Sequence, residues 1–116
     1  ACAAICATFD AFKAQNVVAN CRKMAPVMLR GLQRLKSRFP FIKFIRGEGL
    51  VYGVEISNDD TANKCVLEAY YGVNGEGVHL LGPLAGKVLR VSPPLVITGR
   101  EINQAIAILE KAWERV

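Results

Sequence analysis

Between Asp10 and Glu48 the chain carries no acidic residue, although Lys13, Arg22, Lys23, Arg30, Arg34, Lys36, Arg38, Lys43 and Arg46 all fall in that interval. Histidine is nearly absent as well, with His79 alone. Cys2, Cys6, Cys21 and Cys65 include no C-x-x-C pair, which removes the ligand spacing of a structural zinc site. The four cysteines therefore read as core thiols in a reducing, cytoplasmic setting, and no metal is expected. No apolar run reaches the roughly 20 residues of a membrane-spanning helix, because Lys13, Arg22, Lys23 and Arg30 interrupt the apolar N-terminal region. A soluble protein with no membrane partner is the expectation. No basic segment precedes the opening ACAAICATFDAF, which argues against a secretory signal, and the absence of an initial methionine suggests a piece of a longer chain. Internal repeats, low-complexity stretches and linker-like compositions are not found.

With these classes set aside, 116 residues at 52% hydrophobic content suit one domain around one core. The net charge of +5 is concentrated in the acid-free interval, and a basic face of that kind suits nucleic acid. Its cations alternate with apolar residues at helical spacing, however, and no aromatic stacking motif of the RNA-recognition type accompanies them. A solvated helix face is the preferred reading, with no nucleic-acid partner.

Residues 2–14 are alanine-rich and helix-compatible; Gln15 and Asn16 interrupt. Val17, Cys21, Met24, Met28, Leu32 and Leu35 then recur at spacings of three and four, one apolar stripe on a long helix ending by Phe39. Pro26 lies inside that helix, where a missing donor and a crowded preceding turn predict a bend or break. FIKFIR reads as a strand, GEG as a tight turn, and LVYGVEI as a second strand with Leu50, Tyr52, Val54 and Ile56 on one face. SNDD offers N-caps to a helix over about 61–71, with Ala62, Cys65, Val66 and Ala69 inward and Gly72 as its stop. GVHLL and KVLRV come next as two strands joined by GPLAG. Thr98 and Glu101 stand in capping-box relation before a closing helix that buries Ile102, Ala105, Ile106, Leu109, Ala112 and Trp113. The chain's natural C-terminus is expected near Val116. The order α, α, β, β, α, β, β, α predicts an α+β two-layer sandwich, a small antiparallel sheet of about four strands with helices on one face and the other face left for something else.

The segment LRVSPPLVIT, residues 89–98, raises a chemical question: an arginine inside an apolar strand, just ahead of two prolines. If Leu89 and Val91 face the helices, Arg90 faces away from them. Pro93 and Pro94 fix φ over two residues and offer no donors, so Arg90 is presented from a rigid strand end. A guanidinium held this way suits bidentate pairing with a carboxylate. A surface arginine paired with an acid such as Glu55 is the equally open alternative.

GPLAGKVLRVSPPLVIT with a capped helix behind it resembles the C-terminal segment of class III aminotransferases, fold-type-I enzymes that use pyridoxal 5'-phosphate. Arg46, Gly47, Gly49, Leu50, Gly53 and Glu55 in IRGEGLVYGVE resemble that family's Arg-Gly-x-Gly-Leu segment, and ACAAICAT resembles the helix after its Gly-Asn-Pro-Leu signature. The resemblance runs nearly the whole chain, with the three segments in the family's order. It implies that residues 1–116 are the small C-terminal domain, packed against a large cofactor-binding domain in a homodimer and closing one side of the active site. It also implies that Arg90 binds the substrate carboxylate. Gly47 and Gly49 are turn residues on this reading, Glu55 a sheet-edge residue and His79 structural.

The implied reaction moves an amino group from an amino acid or ω-amine donor to a 2-oxo acid acceptor, and family donors include ornithine derivatives, 4-aminobutyrate, diaminobutyrate and taurine. It needs a Schiff-base lysine, an acid at the pyridinium nitrogen and donors for the cofactor phosphate. Lys13, Lys23, Lys36, Lys43, Lys64, Lys87 and Lys111 lie on helical faces, in turns or at strand ends, and none follows the strand and acidic motif that the family sets before its lysine. No catalytic or cofactor-binding residue is therefore assigned here; that machinery is expected upstream of Ala1, and the fragment alone is expected to be inactive, with a sticky apolar face. The competing readings are a free-standing α+β ligand-binding domain and a basic nucleic-acid-binding module.

Overall fold

The computed structural model describes residues 1–84 and 86–116. Helix α1 (Cys2–Ala14) and helix α2 (Val17–Arg38) meet at Asn16, whose left-handed φ of 51° turns the chain. Strands β1 (Ile42–Glu48) and β2 (Val51–Ile56) form a hairpin, helix α3 (Asp59–Tyr71) comes after it, and β3 (Leu81–Leu84) with β4 (Val88–Val91) makes a second hairpin. Helix α4 (Gly99–Ala112) and a short 3-10 turn, Trp113–Arg115, complete the described chain. All strand pairs are antiparallel, and the order across the sheet is β1-β2-β4-β3. The expected α+β sandwich is the observed architecture. No helix among the described residues is long and apolar enough to cross a membrane.

Alternation explains the two sheet faces. Tyr52, Val54 and Ile56 of β2 and Leu89 of β4 are buried beneath α2, α3 and α4, whereas Val51 and Arg90 are exposed on the other side. Leu32 and Leu35 from α2 meet Ile102 and Ile106 from α4 in the same core. Trp113 closes it at one end: its ring stands edge-on to Phe39 and Phe41, and its buried indole N–H donates to the Cys65 carbonyl at 3.0 Å. Local signals behave as expected at the helix starts. Asn58 Oδ1 accepts the Thr61 N–H, and Thr98 with Glu101 forms a reciprocal capping box.

Three expectations need correction. Helix α2 is not broken at Pro26, which sits at an exposed position with the helix continuing to Arg38, so the unpaired carbonyl one turn back has access to solvent rather than core. The third strand is not GVHLL: Val78 N–H donates to the Ala69 carbonyl at 2.7 Å, so this stretch is captured by the end of α3. The ladder instead begins at Leu81 and takes in Gly82 and Pro83 from the expected connection, and an edge strand tolerates a proline because one side of its backbone has no partner. The Ala85 part of that connection lies outside the described residues. Finally, only Cys65 is a core thiol; burial pushes its pKa up to about 12. Cys2 and Cys6 are exposed, because α1 packs only against α2 and buries none of its residues.

Between the β1–β2 strands the backbone makes a demand only glycine meets. Gly47 has φ +152°, and a Cβ there would lie 2.1 Å from the Val51 carbonyl oxygen, whereas Gly49 at φ +63° has open space around it. Gly47→Ala is expected to lose on the order of 3 kcal/mol of stability and Gly49→Ala about 1 kcal/mol, read from urea unfolding. Equal losses would show that steric contact at Gly47 is not the controlling term.

Helices α2 and α4 are also joined by charge. Glu110 accepts from Arg38 at 2.8 Å and from Arg34, and Arg38 reaches Glu114 as well. Hydrogen bonding from Arg38 holds the Glu110 carboxyl below its ordinary 4.5, partly opposed by burial and aided by Arg34. A depressed carboxyl stabilises the fold above its unfolded pKa, and the benefit is lost as pH falls through the folded value. Glu110→Gln should therefore flatten the decline of melting temperature between about pH 5 and pH 3. A decline as steep as that of the parent would remove Glu110 from the acid response.

Candidate functional site

Register decides where Arg90 stands. Arg46, Gly53, Arg90 and Leu81 are successive cross-strand partners, one row running across all four strands on the helix-free face. Leu89, one residue earlier, is wholly buried, so strand alternation turns Arg90 outward as the sequence predicts. On one flank its neighbour is Gly53, which has no side chain to crowd the guanidinium stem; a Cβ at that position would already press on Val88 at 3.2 Å.

The alternative pairing of Arg90 with Glu55 does not form. Glu55 faces Val88 in the register and is engaged by Arg46 at 3.2 Å and Lys87 at 3.4 Å. Arg46 also lies over the Phe44 ring, 4.9 Å from its centroid. Among the described residues Arg90 takes part in no ion pair, and Glu55 is already held by Arg46 and Lys87. A free guanidinium on a paired strand, with donors arranged as a planar fork, can bind a carboxylate through two parallel hydrogen bonds.

Beside Arg90 lies a cavity of about 280 Å³ between the β3–β4 end of the sheet and the helices. Met28, Leu32, Ile102 and Ile106 contribute apolar walls, with His79 and Ser92 among the lining residues and Arg90 bordering the cavity from β4. Pro93 and Pro94 continue the wall. Beyond them the chain turns, with Ile97 N–H donating to the Pro94 carbonyl at 3.0 Å, and enters the capping box at Thr98. Asn20, on the first turns of α2, ties this loop down: its Nδ2 donates to the Leu95 carbonyl at 2.8 Å and to the Ile97 carbonyl at 3.1 Å. The sequence pattern does not single out Asn20. The only local signal is a polar amide beside an apolar stripe, and its partners lie 75 and 77 residues further along.

The remaining candidates separate. Only Gly49 sits in the β1–β2 turn, because Gly47, expected there too, is still paired with Tyr52 within β1; Glu55 bridges two cations on the sheet. His79 is exposed and stands edge-on to Tyr70, 6.2 Å between ring centroids, in the stretch before β3 rather than within a strand. The acid-free interval is not acid-free in space, because Glu110 and Glu114 come to Arg34 and Arg38, and Glu55 to Arg46. No group of three or more metal-ligating side chains converges among the described residues.

Residues 1–113 match the sequence profile described as Aminotransferase class-III. Over 117 residues the chain is 33% identical to an acetylornithine aminotransferase of Gloeobacter violaceus, covering 100% of this chain and 28% of the relative. A taurine–pyruvate aminotransferase of Bilophila wadsworthia is 30% identical over 124 residues, covering 98% of this chain and 27% of its own length. The fold superposes on a crystal structure of acetylornithine aminotransferase from Elizabethkingia anophelis with a TM-score of 0.80 at 24% identity, over 92% of this chain and 26% of that one. The chain thus spans little more than a quarter of the curated relatives it matches, 28% and 27% of them. With the profile matched along nearly its whole length, the chain belongs to the class III aminotransferase family.

Proposed function

We propose that this chain is the small C-terminal domain of a longer, homodimeric aminotransferase that uses pyridoxal 5'-phosphate, and that Arg90 binds the carboxylate of the amino donor or of the 2-oxo acid acceptor. The observation that carries the role of Arg90 is its unpaired guanidinium on a sheet face free of helices, just ahead of a proline-stiffened loop. Relatives named for acetylornithine and for pyruvate, both carboxylates, support it. The helix-free sheet face suits packing against a larger domain that carries the cofactor. So does the exposed apolar stripe of α1, where Ile5, Phe9 and Phe12 face solvent.

When bound, the cofactor supplies the electron sink for amino-group transfer. The residues of this chain do not fit it on their own: all seven lysines are exposed, and a Schiff-base lysine is activated by desolvation or by a neighbouring cation in an enclosed site. What the chain contributes is orientation. A carboxylate gripped by the Arg90 fork fixes one end of the substrate, so the reacting carbon is placed before the chemical step.

In the full-length enzyme, Arg90→Lys keeps the charge and loses the fork. Binding of carboxylate substrates is expected to weaken by about 1.5–3 kcal/mol, read from kcat/KM with and without a substrate carboxylate. Unchanged kinetics for carboxylate substrates would remove the assignment. The 116-residue chain alone is expected to give no tight Schiff base when titrated spectrophotometrically with pyridoxal 5'-phosphate. Saturable formation of one at stoichiometric cofactor would return cofactor chemistry to this chain.

A further inference from the structure

We infer that Asn20 is a positioning residue for the Arg90 site, holding in place the 92–97 loop into which strand β4 runs just past Arg90; this rests on the proposed carboxylate-binding role of Arg90. Apart from Ile97, which packs against the core, the loop is weakly secured by other means. Pro93 and Pro94 have no N–H to give to a neighbouring strand, and Leu95 and Val96 turn outward, 37% and 50% exposed, so burial does little to fix its tip. Its hydrogen-bonded tethers are the Pro94–Ile97 turn, the two hydrogen bonds from Asn20 Nδ2, and a weak contact at 3.9 Å from the Cys21 thiol to the Leu95 carbonyl that Asn20 already holds.

Asn20 is suited to the task because it is itself fixed. It lies in the first turns of α2, its own N–H donates to the Asn16 carbonyl at 3.1 Å, and Met24 and Met28 further along that helix are in the core. One amide donating to two carbonyls, two residues apart, sets both the distance of the loop from α2 and the orientation of the turn. Arg90 and Val91 are paired to Gly53 and Tyr52, whereas the chain beyond Val91 has left the sheet. Without the Asn20 tie, residues 92–97 regain freedom directly after the strand end that presents Arg90, and a carboxylate at Arg90 has to order that strand end on binding. The burden falls on substrate binding more than on the chemical step.

The test is a double-mutant cycle in the full-length enzyme with Asn20→Ala and Arg90→Lys, measuring kcat and KM for a carboxylate-bearing substrate. Asn20→Ala is expected to raise KM about tenfold, equivalent to two ordinary hydrogen bonds, with kcat falling much less. In the Arg90→Lys background the same substitution should raise KM by no more than about twofold, because the geometry it protects is already gone. That non-additivity is the supporting result, and a residue serving only the fold would not produce it. If Arg90→Lys alone leaves KM unchanged, the carboxylate reading fails and this inference with it. If Arg90→Lys raises KM and Asn20→Ala does not, or if Asn20→Ala raises it equally in both backgrounds, the carboxylate reading stands and the role of Asn20 is overturned. Should Asn20→Ala fail to fold, Asn20→Ser, which keeps one donor, is run through the same cycle. Failure of both to fold also overturns the inference, since Asn20 would then be a residue the fold itself requires.

Discussion

The antiparallel pairing of β2 with β4 is the contact on which the rest of the molecule depends. It sets Leu89 against Val54 in one register, and that single alignment decides both faces of the sheet. On the helix side, Leu89, Val54 and Ile56 form a floor with almost no solvent exposure, onto which α2, α3 and α4 settle. On the other side, Arg90 falls beside Gly53 rather than beside Glu55. A slip by one residue would bury a guanidinium under the helices and expose a leucine, a change that apolar burial and charge desolvation both oppose. The core therefore selects the register, and the register places the arginine.

Charge in this molecule is arranged by fold rather than by sequence neighbourhood. The long basic interval meets its acids from the C-terminal helix and from β2, so Arg34, Arg38 and Arg46 are engaged, while Arg90, outside that interval, is left unpaired among the described residues. The exposed ion pairs add little individually. On the sheet they occupy Glu55, the carboxylate that alternation puts on the same face as Arg90, with two other cations.

Legibility in the sequence tracks the range of the interaction. Leu50, Tyr52, Val54 and Ile56 can be assigned to one face because alternation is local and only one face is buried; Thr98 and Glu101 because a capping box spans one turn. Pro26 does not break α2, because the rule against internal prolines concerns a lost hydrogen bond, and at an exposed position the orphaned carbonyl can turn to water. The start of β3 is misplaced by sequence because Gly82 and Pro83 have turn-forming preferences, while tertiary structure takes Val78 for the end of α3. Cys2 and Cys6 are misassigned by residue type alone, since nothing in their spacing reveals that α1 packs only against α2. At the site, the outward direction of Arg90 is readable from period-two alternation. The occupation of Glu55 by Arg46 and Lys87 is not, nor is the Asn20 tie, because such partners are chosen by folding.

The sheet order β1-β2-β4-β3 also bears on how the chain reaches its native state. Each outer hairpin joins strands adjacent in sequence, so β1 with β2 and β3 with β4 close short loops. The central β2–β4 ladder must instead bring together segments separated by the whole of α3 and the extended stretch after it, and chain entropy makes it the contact with the greatest closure penalty in the sheet. Two hairpins formed separately would each hold half of the row that contains Arg90, with Gly53 on one and the arginine on the other. The surface that presents Arg90 beside Gly53 is accordingly a property of the completed sheet alone, and a newly made chain acquires it only when its two halves meet.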